Sequence, residues 1–108
     1  MNRLDDALNC FSKSTELLPT WVWAWLNKGK AYHKLGRLSE AIDCYGKAYQ
    51  YRGPYPSAYD SLKHPVISLA SEILEKDINT YDLHTMKQLI KLLNEFDKML
   101  AAEVLNKL

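Results

Sequence analysis

One pattern occurs twice, 34 residues apart, and that spacing narrows the architectures open to this chain more than any other feature. Arg3-Leu4-Asp5-Asp6-Ala7-Leu8-Asn9-Cys10-Phe11 aligns with Arg37-Leu38-Ser39-Glu40-Ala41-Ile42-Asp43-Cys44-Tyr45. The register continues through Lys13 and Lys47, then Ser14 and Ala48. A fixed period of about this length marks helical units that cannot bury an apolar face alone and therefore stack. Stacks of this kind usually bind other proteins and do no chemistry of their own.

Size and charge agree with that direction. A chain of 108 residues supports one domain with a modest core. A net charge of +1 supplies no strong field toward nucleic acid or an acidic membrane. Two cysteines are too few for a disulfide framework. No apolar run reaches the roughly 18 residues a membrane span requires. Met1-Asn2-Arg3-Leu4-Asp5-Asp6 meets polar and charged residues at once, unlike a signal peptide. A cytoplasmic chain with free thiols is the expectation.

The periodicity predicts a first helix over about 2–18, with Leu4, Ala7, Leu8, Phe11 and Ser14 on one face and Pro19 as its stop. Thr20-Trp21-Val22-Trp23-Ala24-Trp25 alternates like a strand, but Trp25, Gly29 and Tyr32 recur at helical spacing and predict a second helix from near Val22 to Leu35. Gly36 suits a left-handed stop. A third helix is predicted over 38–51, closed by Arg52-Gly53-Pro54-Tyr55-Pro56. A fourth follows from Ser57 as N-cap, either kinked or split at Pro65. Asn79 and Asp82 resemble a capping box, and a long last helix is predicted over 80–107, about 42 Å at 1.5 Å per residue. Leu83, Met86, Ile90, Leu93, Leu100 and Val104 give it one stripe, and Leu89, Leu92, Phe96 and Met99 a second. Such a face is wider than docking on one neighbour needs.

At this point the residues resemble a family. Trp25-Leu26-Asn27-Lys28-Gly29-Lys30-Ala31-Tyr32 is similar to the first-helix signature of the tetratricopeptide repeat, W-x2-L-G-x2-Y, with Lys28 in the leucine slot. Ala41, Tyr45 and Ala48 resemble its second-helix slots, with Tyr45 where phenylalanine is usual and Gly53 where the closing proline is usual. Ala7, Phe11, Ser14 and Pro19 fall into the same slots one period earlier. The resemblance covers residues 2–55, one second-helix half and one full repeat, and decays beyond Pro56. It implies an all-α fold of stacked antiparallel helix hairpins with a right-handed superhelical trend. Residues 57–108 then supply C-terminal capping helices, and the whole is a single helical domain over 1–108.

The slots also have a physical reading. Ala7, Gly29, Ala41 and Ala48 are small because adjacent helices approach to about 8–10 Å. Phe11, Trp25, Tyr32 and Tyr45 fill the larger holes. Repeats of this kind need about three units for stability, and this sequence begins within one. Three readings stay open: a piece of a longer array, C-terminal helices that cover the first helix, or a second copy that does so in a homodimer.

Other residues carry weaker signals. Asp5 with Asp6 and Glu40 with Asp43 read as solvated charges on helix faces, since no polar groups converge around them. His33, His64 and His84 lack metal-ligand spacing, and Cys10 and Cys44 read as small buried thiols. No phosphate-cradling glycine loop occurs. The resemblance implies that the first helix of a repeat lines a peptide groove, which places Trp23, Leu26, Asn27, Lys30, His33 and Lys34 in it. Lysines there suit an acidic or C-terminal carboxylate tail. Only Asn27 matches the chaperone-clamp pattern, so chaperone binding is not expected. Trp21 is a candidate exposed hot spot, for Trp25 claims the inward direction.

The expected function is a non-catalytic protein–protein interaction module or scaffold, with a protein or peptide partner or self-assembly, no membrane and no cofactor. The alternatives are an RNA-binding helical repeat, which the net charge of +1 opposes, and a regulatory subunit of an enzyme complex.

Overall fold

The computed structural model describes residues 3–53, 56–75, 81 and 83–107. Among these residues lie six helices and no strand: α1 Arg3–Leu17, α2 Val22–Lys34, α3 Leu38–Gln50, α4 Pro56–Glu75, α5 Leu83–Leu93 and α6 Lys98–Lys107. The all-α class read from the 34-residue period holds. The alternating tryptophan segment is helix from Val22 onward, as the longer periodicity indicates.

α2 and α3 form the centre. Gly36 sits at φ +79° just past α2. Its N–H donates to the His33 carbonyl at 3.1 Å, and the Arg37 N–H donates to the Tyr32 carbonyl at 2.9 Å. These are the paired bonds of a Schellman stop, and they turn the chain straight into α3. The hairpin then closes on Gly29. A Cβ there would lie 2.6 Å from Tyr45 Cε1 and 3.2 Å from Cys44 Cβ. Glycine is required because the Tyr45 ring lies against the α2 backbone. Leu26, Ala41, Ile42, Tyr45 and Ala48 are buried there, and covering a ring such as Tyr45 is worth on the order of 1.5–3 kcal/mol.

The remaining helices flank that hairpin. α1 packs on α2, whereas α4 and α5 pack on α3. α6 lies against α4 and α5. The molecule is 20 Å thick, which is two helix layers. α5 and α6 therefore close the α3 side of the stack. Among the described residues α1 packs chiefly on α2.

α4 runs through Pro65 as one helix, so the chain is not split there. Pro65 supplies no N–H to the Ser61 carbonyl, and its ring is buried in the core instead. Ser57 lies inside the helix, which already begins at Pro56. The capping box expected at Asn79 and Asp82 lies outside the described residues.

The long last helix is corrected. α5 stops at Leu93 and α6 starts at Lys98. Three interactions hold the break open. The Tyr59 hydroxyl donates to the Glu95 carbonyl at 2.7 Å, and the Tyr49 hydroxyl donates to the Glu95 carboxylate at 2.8 Å. Phe96 packs against both rings, with centroids 5.6 Å from Tyr49 and 4.8 Å from Tyr59. Asp97 Oδ1 accepts the Leu100 N–H at 3.1 Å and so caps α6. The break re-aims the second half of the stripe. Ala101 and Val104 turn inward, and Met99 is left 80% exposed.

Candidate functional site

Trp23, Asn27, Lys30 and Lys34 recur along α2 at helical spacing and mark one stripe. Asn27, Lys30 and Lys34 are exposed, and Trp23 is half-buried against the core. Neither lysine has a carboxylate in ion-pair range among the described residues. Two residues expected in this groove are placed otherwise. Leu26 is 2% exposed and belongs to the core, because α2 is covered on more than one side. His33 Nε2 lies 2.6 Å from the Glu72 carboxylate, which ties α2 to α4 and takes its ring out of the open stripe.

The stripe ends in a recess at the N-terminus of α2. This hollow of about 320 Å³ is lined by Trp21, Trp23, Tyr51, Ser57 and Ala58 among others. Trp21 is 47% exposed there. Trp25 does not monopolise the inward direction. It is half-buried, its indole N–H donates to the Pro19 carbonyl at 2.8 Å, and Lys28 Nζ stands 5.3 Å over its ring. The small residues Ala24, Gly29 and Ala31 are what face inward beside Leu26.

The two cysteines differ. Cys44 is buried, and burial pushes its thiol up to about 11, with Asp43 and Glu40 adding and Lys28 opposing. Cys10 is exposed, which corrects its expected burial. No group of three His, Cys, Asp or Glu able to hold a metal occurs among the described residues. Asp5, Asp6, Glu40 and Asp43 are exposed. No described helix is long and apolar enough to cross a membrane.

Burial also raises the Tyr49 hydroxyl above its usual range, and its bond to Glu95 adds to that. The cluster that Tyr49, Tyr59, Glu95 and Phe96 form escapes a periodicity reading because its members lie 36 or more residues apart across the two sides. Glu72 escapes for the same reason, at 39 residues from His33.

The family comparison falls on the central hairpin. Residues 22–52 match the model of the tetratricopeptide repeat. This hairpin is similar to a tetratricopeptide repeat. Its two helices are α2 and α3, joined by the Gly36 stop and locked by the Gly29–Tyr45 contact. The repeat match does not extend over α1, whose copy of the pattern stands one period earlier. No curated protein matches the chain. A tetratricopeptide repeat is in general a non-catalytic platform for protein partners.

Proposed function

We propose that the chain is a non-catalytic interaction module of the cytoplasm that holds an acidic peptide segment along the solvent stripe of α2. Lys30 and Lys34 meet its carboxylates, Asn27 bonds its backbone, and the recess of Trp21 and Trp23 takes an apolar side chain. One observation carries this reading: two lysines without a carboxylate partner stand in line with an aromatic hollow on one helix. Trp23, Asn27, Lys30 and Lys34 sit on one helix, which limits the entropy lost on binding. Free rather than paired cysteines agree with the compartment.

Lys30→Glu with Lys34→Glu should abolish affinity capture of the partner while circular dichroism stays unchanged. Retained capture by that variant ends the reading.

Self-association is the second reading, because Leu17 at 79% and Leu18 at 55% exposure extend the half-covered stripe of α1. Sedimentation of the chain against its Leu17→Glu, Leu18→Glu variant separates the two. A concentration-independent monomer in both samples removes a homodimer.

A further inference from the structure

α3 is tied to the start of α5 at one end and to the turn after α5 at the other. Ser39 Oγ lies 3.4 Å from Thr85 Oγ1, and the Tyr49 hydroxyl bonds Glu95 at 2.8 Å. Both pairs have the same sequence separation of 46, so the two helices run parallel and in register. A groove of about 700 Å³ runs along this seam. The buried side chains of Ile42 and Leu92 lie at its base, and the Trp25 ring borders it.

Gly46 lines the same groove, and the register sets it opposite Leu92. A glycine inside a helix costs about 0.5–1 kcal/mol relative to alanine. Gly29 has a packing reason, but a Cβ on Gly46 would meet nothing within 4 Å. Its φ is not positive either. The fold therefore gains nothing from glycine at this position, and its missing side chain keeps the groove floor open.

Charge selects the occupant. Lys47, Arg52 and Lys91 line the groove against Asp43 and Glu95. None of the three cations has a carboxylate in ion-pair range among the described residues, and Glu95 already accepts the Tyr49 hydroxyl. Arg52 is held in place: its guanidinium lies 3.7 Å from the Tyr49 ring centroid and donates to the Tyr49 carbonyl at 2.7 Å. A fixed guanidinium loses little freedom on meeting a carboxylate.

We infer that the α3–α5 groove is a second peptide-binding site, taking an aromatic side chain over Gly46 with carboxylates flanking it against Lys47, Arg52 and Lys91. It does not depend on the α2 stripe. Trp25, which borders it, and Trp23, which lines the other recess, point about 200° apart on α2.

The test uses the full chain and a synthetic peptide of one Phe flanked by Asp residues, with a counterpart carrying Lys for every Asp. The Asp peptide should shift the Gly46 amide and the Trp25 indole resonance in heteronuclear NMR spectra, whereas shifts at Asn27 and Lys30 report the α2 stripe separately. Lys47→Glu with Lys91→Glu should weaken it by about tenfold or more. Gly46→Leu should abolish it with an unchanged or raised Tm, since leucine is the better helix former. Gly46→Ala keeps the fold and most of the space, so it should bind with at most a few-fold loss. Equal binding to Gly46→Leu, equal binding of the Lys peptide, or no shift at millimolar peptide would each overturn the site. Shifts confined to Asn27 and Lys30 would overturn it too, leaving the α2 reading intact.

Discussion

α1 and α3 carry one pattern and meet different fates. Tyr45 and Ala41 are fully buried, while Phe11 and Ala7, their counterparts 34 residues earlier, are half-buried. Cys44 is buried and Cys10 is exposed. Leu38 is buried and Leu4 only half so. The side chains are near-equivalents, so the difference lies in the neighbours. α3 is packed by α2, α4 and α5, whereas α1 packs chiefly on α2. The apolar stripe of a repeat thus states what a helix is able to bury, and the number of helices around it decides how much it does bury.

Paired substitutions sharpen this contrast. Tyr45→Ala should cost about 3–5 kcal/mol in denaturant unfolding, because it opens a cavity in a fully covered layer. Phe11→Ala should cost about 1 kcal/mol, since half its surface is already wet. Equal losses at the two positions would mean that α1 is covered as fully as α3 in solution. Gly29→Ala tests the contact beneath Tyr45. Its Cβ collides with the ring at an overpacking cost of about 1–3 kcal/mol, against a helix-propensity gain of about 0.5–1 kcal/mol, so the net effect is destabilising.

The cysteines give a pH test of the same contrast. The Cys44 thiol is raised from 9.0 to about 11 by burial. A raised value means that the native state prefers the neutral thiol. Its stabilising contribution is complete below pH 9 and is lost as pH climbs toward 11. The chain should therefore weaken over that interval more than its Cys44→Ala variant does. Cys10→Ala should leave the alkaline profile unchanged. A thiol reagent should label Cys10 in the native chain well before Cys44.

The smallest expected effect is Tyr45→Phe. The Tyr45 hydroxyl is buried and has no hydrogen-bond partner among the described residues. Removing it should be neutral or stabilising by up to about 1 kcal/mol, as an unsatisfied buried group costs free energy. Phe11→Tyr, on the half-wet helix, should change the unfolding midpoint very little. A marked loss in Tyr45→Phe would show that the hydroxyl is satisfied in solution, for example by a water.

What the sequence determined by itself was local and periodic. The spacing of Ala41, Tyr45 and Ala48, the small residue at Gly29 and the left-handed stop at Gly36 specify the α2–α3 hairpin, because contacts within one hairpin follow from helical geometry over a few turns. The groove face on α2 was implied by the family resemblance instead, and Asn27, Lys30, Lys34 and Trp21 are exposed in the structure. Tertiary structure decided the rest. An unbroken stripe from Leu83 to Val104 allowed one long helix, and the Tyr49, Tyr59 and Phe96 cluster, joined across 36 or more residues, divides it together with the Asp97 cap. Leu26 and His33 left the open stripe because α4 and the core claimed them. Neither the parallel register of α3 with α5 nor the empty space above Gly46 follows from periodicity. Both depend on where a distant helix comes to rest.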